Sequence, residues 1–235
     1  DLFRDFDTVD VQTEGDLLAM VAPDAYPVCT SDTLRFVRAG YDFSAQDVEE
    51  EIEEYPVGHS AAFLARARRT GRPYMTAALA RVNASWDALS KDARYAAAKA
   101  GLRPPEYNPF ANNIAQAVEL VDVLDRCAAL CRRLAADEFE GLSAPVPFEV
   151  CAGRGVGFTE APRGALFHIL DIDGDGRIKR ASIMTPTAQN IANLEADMRQ
   201  LAGKMVAGGY DADLITLEVE KLVRAYDPCL SCSVH

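Results

Sequence analysis

Two cysteines near the end of the sequence have the spacing of a chelate. The segment Asp227-Pro-Cys229-Leu-Ser-Cys232-Ser-Val-His235 sets two thiols three residues apart and a histidine three residues beyond them. Cys-x-x-Cys spacing lets two thiolates converge on one point, which suits soft or borderline metals such as nickel, zinc, copper or the iron of a cluster. In a disulfide oxidoreductase the same spacing sits at a helix start in a thioredoxin-like pattern. A metal site, a redox pair and an incidental pairing are the three readings open on spacing alone. A closed zinc site takes four ligands. Cys229, Cys232 and His235 leave that set incomplete, so the remainder must come from elsewhere, another chain included.

The other cysteines, Cys29, Cys127, Cys131 and Cys151, are expected as ordinary core residues, because six in 235 residues are too sparse for a disulfide scaffold. Cys127 and Cys131 are four apart, on one helix face. No further ligand is local, so both are expected to pack as small apolar groups. Two other motifs mislead. Asp171-Ile-Asp173-Gly-Asp175-Gly176 resembles the start of a calcium loop, but position 12 is Ser182 where a bidentate Glu is required; it reads as a hairpin turn. Gly153-Arg-Gly155-Val-Gly157 suggests a phosphate loop, but Pro162 opposes the helix that must follow. These glycines are expected instead where the backbone approaches something closely.

Asp and Glu total 36 against 24 Lys and Arg, a net charge of −12. Binding nucleic-acid phosphates or an anionic membrane surface needs a basic face, so both are disfavoured. No apolar run approaches the roughly 20 residues that span a bilayer. No basic, then apolar, leader is present, so no signal peptide is read. The chain opens on Asp1 rather than Met, which implies processing or an omitted segment.

These side chains need elements to hold them. Residues 1–45 alternate apolar runs and turn formers, as short strands and loops do. The acidic run Asp47 to Glu54 reads as a solvated helix face. Ala-rich residues 60–69 and 85–100 suit helices. Ile114, Val118, Val121, Leu124, Cys127 and Cys131 recur at helical spacing within a helix over 112–136. Two β-prone runs over 165–184 flank the Asp173 turn as an antiparallel hairpin. Helices over 189–207 and 213–224 follow, the first stopped by Gly208-Gly209. The pattern is mainly α with a small antiparallel β component, an α+β chain without an internal domain boundary.

Four ordered blocks carry a resemblance to the large, catalytic subunit of nickel–iron hydrogenases. They are Tyr107-Asn-Pro-Phe-Ala-Asn-Asn113, Glu160-Ala-Pro-Arg-Gly-Ala-Leu-Phe-His168, Thr185-Pro-Thr-Ala-Gln-Asn190 and Arg224-Ala-Tyr-Asp-Pro-Cys-Leu-Ser-Cys-Ser-Val-His235. The second and third look closer to soluble cytosolic enzymes that reduce pyridine nucleotides or deazaflavins. The resemblance implies a helical-bundle core with a β-hairpin near the active site. It makes residues 1–235 the C-terminal portion of the large-subunit domain, trimmed by a protease after His235. It implies a cytoplasmic hydrogenase that splits dihydrogen heterolytically at a Ni–Fe centre whose iron carries carbon monoxide and cyanide.

Roles follow by resemblance. Cys229 is a terminal nickel ligand and Cys232 bridges nickel and iron. Arg163 faces the cyanides, where a charged guanidinium donates in a fixed fork. Thr187 donates to a cyanide. Pro162 and Asp227 complete the surroundings of the open coordination position. His235 and the carbonyl of Ile183 match ligands of a structural magnesium. The Cys229 thiolate is the expected base; Arg163 would need a pKa far below its usual range. Without the resemblance, Arg163 reads as a salt-bridge partner of Glu160, Thr187 as a helix N-cap, and His168 as packed or hydrogen-bonded. His59 is not assigned to the site.

The sequence departs from the family in two places. The N-terminal Arg-x-Cys-Gly-x-Cys-type motif, with its second cysteine pair, is absent, and Gly-Pro-Leu-Ala-Arg reads Ala77-Ala-Leu-Ala-Arg81. The large subunit is therefore split between two chains, cut from a longer one, or reduced to a half without a bimetallic centre. Expected partners are a polypeptide carrying the N-terminal Cys-x-x-Cys half, a small subunit bearing iron–sulfur clusters, and an NAD(P)- or flavin-linked reductase. The alternatives are a non-catalytic structural subunit, as in respiratory complex I, and a metal-binding or assembly protein using the terminal Cys-x-x-Cys.

Overall fold

The computed structural model describes residues 9–23, 25–136 and 147–234. β1 (Asp16–Met20), β2 (Thr33–Phe36) and β3 (Tyr41–Ser44) form an antiparallel meander. A single helical turn, α1 (Val48–Glu51), leads into the hairpin of β4 (Ile52–Val57) and β5 (Ser60–Ala67). β6 (Tyr74–Met75) then pairs parallel with β1, giving a sheet of order β3-β2-β1-β6. β1 lies inside this sheet, and all five of its residues, Asp-Leu-Leu-Ala-Met, are buried.

Helices α2 (Ala78–Ala84), α3 (Lys91–Lys99) and α4 (Asn112–Ala135) follow. β7 (Gly153–Ala161), β8 (Gly164–Ile172) and β9 (Ile178–Met184) make an antiparallel three-stranded sheet. α5 (Pro186–Ala207), α6 (Ala212–Tyr226) and the short α7 (Leu230–Ser233) complete the chain. One core cluster lies among the helices, around Leu79, Val82, Phe110, Val118, Leu201 and Leu222. A second joins the sheets through Leu34, Phe36, Tyr74, Phe167 and Ile169. The chain is α+β with small, mostly antiparallel sheets, as the sequence pattern implies. The Asp173 segment is a hairpin turn: the Asp173 Oδ1 accepts the backbone N–H groups of Asp175 and Arg177.

Several elements differ from expectation. Residues 60–67 are a strand, not a helix; Ala62, Leu64, Ala65 and Ala67 are buried, and packing there overrides the helix preference of alanine. The acidic run is helical only over 48–51, and Glu51 is buried, paired with Arg69 at 2.8 Å and Tyr41 at 3.3 Å. Burial, with Glu49 nearby, pushes Glu54 up to about 7. Cys29, Cys127, Cys131 and Cys151 are all exposed rather than core. For the α4 pair the reason is plain: only the first half of α4 buries side chains, and Leu120, Val123, Leu124, Leu130 and Leu134 face outward. The β7 glycines Gly153 and Gly155 face open space, and Gly157 makes only an ordinary contact with His168, so no close approach requires them.

Candidate metal centre

The segment bearing Cys229 and Cys232 is fixed at its start by a buried polar network. Tyr226, the last residue of α6, donates its hydroxyl to Asp197 Oδ2 at 2.5 Å and accepts Asn193 Nδ2–H at 2.6 Å. Asn193 also donates to Thr13 Oγ1 at 2.9 Å, so α5, α6 and the loop before β1 meet here. Burial pushes the Asp197 carboxyl up to about 6, although the Tyr226 hydroxyl pulls it the other way. Asp227 then adopts the left-handed conformation, with φ 49° and ψ 53°, and turns the chain out of the helix.

The backbone N–H of Cys229 donates to Thr187 Oγ1 at 3.1 Å. Thr187 is free to accept it because Thr185, not Thr187, caps α5, taking the Ala188 N–H at 3.4 Å. Cys229 and Cys232 are joined as a disulfide, with Cα atoms 5.3 Å apart. Beyond them, Val234 bridges to Ala62 of β5.

Arg163 reaches this segment from the turn between β7 and β8. Its Nε donates to the Asp227 carbonyl at 2.7 Å, and Nη2 to Asp227 Oδ1 at 3.1 Å. Its partner is therefore Asp227 and not Glu160. Both side chains are about 40% exposed, so solvent screens the pair and its value is placement rather than stability. The turn is tightly seated. Gly164 has φ +129°, and a Cβ there would lie 2.1 Å from the Thr76 carbonyl oxygen. Asn190 on α5 accepts the Thr76 N–H at 2.7 Å and donates to the Thr76 and Arg163 carbonyls at 2.9 and 3.2 Å. Gln189 beside it donates to the Ala165 carbonyl at 2.7 Å.

Glu160 belongs to a second, largely buried set behind the turn. It accepts the Met20 N–H at 2.7 Å and Arg81 Nη1–H at 3.1 Å. Arg81 forks onto Glu119 of α4 at 2.6 and 2.7 Å. It also donates to the carbonyls of Ala161 and Pro162, at 3.1 and 3.0 Å. Burial pushes Glu160 above the usual carboxylate range and Arg81 pulls it back. For Arg81 burial works against the charge, and the Glu119 and Glu160 carboxylates outweigh it. Tyr26 closes the set by donating to Glu119.

The structure thus gathers the Asp227–Cys232 segment, Thr187 and the Pro162-Arg163 turn. Ile183 lies in β9, opposite His168, with an exposed side chain. His168 is exposed on the sheet, not packed. His59 is exposed beside Glu195, at 2.8 Å. His235 lies outside the described residues. Among the described residues no group of three or more His, Cys, Asp or Glu could hold a metal. Sequence reading passed over Arg81, Asn190 and Asn193, which do most of the holding. Arg81 and Asn190 lie inside quoted blocks, whereas nothing local marks Asn193.

A disulfide ligates nothing, but its two sulfurs already converge on one side of the segment. Reduced and deprotonated, they fit a soft metal that takes its remaining ligands from beyond the described residues. Fold and donor set together give a reducible cysteine pair on an α+β scaffold. A family model described as nickel-dependent hydrogenase matches residues 48–235, and the chain belongs to that family.

Among its relatives is the alpha chain of sulfhydrogenase 1 from Pyrococcus furiosus, 38% identical over 198 residues. That match covers 83% of this chain and 44% of the relative. The alpha chain of sulfhydrogenase 2 from the same organism is 32% identical over 185 residues, 79% of this chain and 43% of its own. A crystal structure of an NAD+-reducing [NiFe]-hydrogenase in the H2-reduced state shares the fold, with a TM-score of 0.74 and 23% identity. It covers all of this chain and 52% of that one. The chain spans about half the length of the relatives it matches.

Proposed function

We propose that this chain is the C-terminal portion of a nickel–iron hydrogenase catalytic subunit, its 235 residues forming part of one large-subunit domain. The carrying observation is the convergence of Cys229 and Cys232 beside the Arg163–Asp227 pair, with Thr187 holding the Cys229 backbone, in a member of the nickel-dependent hydrogenase family. The reduced pair would hold the Ni–Fe centre, Cys229 as a terminal ligand and Cys232 as a bridge. That centre, when bound, supplies the redox chemistry for reversible heterolytic cleavage of H2 to protons and electrons, with carbon monoxide and cyanide on its iron.

This chain's residues then do the rest. Cys229 Sγ takes the proton. Arg163 keeps its charge and is oriented by Asp227 toward the cyanides, with Thr187 and Pro162 lining the same side. His235 and the Ile183 carbonyl are assigned to magnesium.

The outward apolar face of α4 supports an obligate partner, because Leu120, Leu124 and Leu134 are more than half exposed. That partner is the polypeptide carrying the N-terminal Cys-x-x-Cys half. An iron–sulfur small subunit takes the electrons. The beta chain of the NAD-reducing hydrogenase of Cupriavidus necator, 32% identical over 124 residues, favours a nucleotide- or flavin-linked reductase beyond it. The reading places the enzyme in the cytoplasm; among the described residues no helix is long and apolar enough to cross a membrane. The family match does not favour the non-catalytic alternatives.

An infrared spectrum of the assembled protein, in the region of metal-bound carbon monoxide and cyanide stretches, tests the reading. Bands together with nickel and iron are expected. A blank spectrum from intact, metal-analysed protein would end it.

A further inference from the structure

Arg81 touches no cysteine, yet it holds the turn that carries Arg163. Its Nε–H and four Nη–H donors meet five acceptors: both Glu119 oxygens, one Glu160 oxygen, and the carbonyls of Ala161 and Pro162. The side chain is 6% exposed. Its surroundings are fixed in turn, since Glu160 accepts the Met20 N–H of β1 and Glu119 accepts the Tyr26 hydroxyl. The next carbonyl along, that of Arg163, is held from the other side by Asn190. Three consecutive carbonyls are therefore each pinned by a buried side chain, immediately before the backbone enters β8.

We propose that Arg81 is a positioning residue for Arg163, fixing through the Ala161 and Pro162 carbonyls where the Arg163 guanidinium stands beside Asp227 and the cysteine pair. Neutralising Glu119 and Glu160 needs only a cation. The two carbonyl bonds need the fork, because an ammonium has three donors against five. The proposal rests on the reading that Arg163 serves the thiolate site.

Arg81→Lys separates the two roles, since it keeps the charge and loses the fork. The probe is the Nε–H signal of Arg163 in the assembled complex carrying 15N-arginine, assigned by its loss in Arg163→Lys. In Arg81→Lys that signal is expected to shift and to exchange faster with solvent. Hydrogen turnover is expected to fall about tenfold to a hundredfold, the cost of a small misplacement near reacting groups. Added to Arg163→Lys, the Arg81→Lys change is expected to cost nothing further. An unchanged Arg163 signal, or losses that multiply in the double variant, would overturn the proposal.

If Arg81→Lys fails to assemble, Glu119→Gln weakens one side of the fork and is expected to shift the same signal; no shift again overturns it. A parent complex without any hydrogen turnover would remove the functional reading, and the Nε–H signal would still decide the positioning.

Discussion

Asp197 couples the stability of the chain to pH at the point where the cysteine segment is anchored. It is buried against Tyr226, one residue before Asp227, and its carboxyl is raised from 3.8 to about 6. Desolvation is the largest cause, and Glu14 adds to it. A carboxyl with a raised folded pKa binds its proton more tightly in the folded state. Its contribution is therefore complete below about pH 3.8 and is lost as pH rises through about 6. At about 1.4 kcal/mol per tenfold change in proton affinity, the loss is about 3 kcal/mol.

In Asp197→Asn the amide oxygen can still accept the Tyr226 hydroxyl, and no charge has to be desolvated. Urea unfolding of parent and variant at intervals from pH 4 to 7.5 reads the difference. The stability of the variant relative to the parent is expected to rise by about 2.4 kcal/mol across that window, most of the full effect. Other carboxylates titrate in both proteins and cancel in the comparison. Parallel profiles would refute the reasoning, because they would mean that Asp197 titrates alike in folded and unfolded chains.

Gly164→Ala is expected to lower stability by about 3 kcal/mol or more in thermal melts, since it forces a Cβ onto the Thr76 carbonyl at φ +129°. Nickel retention after gel filtration is expected only when the protein is reduced beforehand, and to be lost in Cys229→Ser even then. Arg163→Lys is expected to keep its nickel and to lose about a hundredfold in turnover, as a point charge replaces the fork. Leu124→Glu is expected to change the stability of the chain by less than about 0.5 kcal/mol while cutting co-purification of the complementary polypeptide.

The long helices were legible because their apolar residues recur at helical spacing and their ends carry plain signals. α4 and α5 fall almost where that spacing puts them, and Gly209, at φ 75°, stands just beyond the end of α5. The Asp173 turn was legible for a similar reason, since its side chain caps its own loop. β5 was not. Ser-Ala-Ala-Phe-Leu-Ala-Arg-Ala has helical composition, and only packing onto α5 and pairing with β4 make it a strand. The exposure of Cys127 and Cys131 was hidden for the opposite reason: an apolar stripe looks the same whether or not a neighbour covers it. At the candidate site, Cys229 and Cys232 stood out by type and spacing, whereas Arg163, Thr187, Pro162 and Asp227 were singled out only through the family resemblance. Their supports did not stand out, because Arg81, Asn190 and Asn193 act over separations of up to 180 residues and local sequence carries no mark of such contacts.

Asp227 is, among the described residues, the one non-glycine residue at positive φ. Left-handed backbone costs an L-residue about 1–2 kcal/mol, although aspartate tolerates it better than most, and glycine relieves the cost. The carboxylate and carbonyl at this position are also what Arg163 grips. Asp227→Gly would therefore ease the backbone and strip the arginine of its side-chain partner. Laboratory evolution scored on heat resistance alone would be drawn toward that glycine. Under the proposed function, only a screen that also reads hydrogen turnover would keep the aspartate.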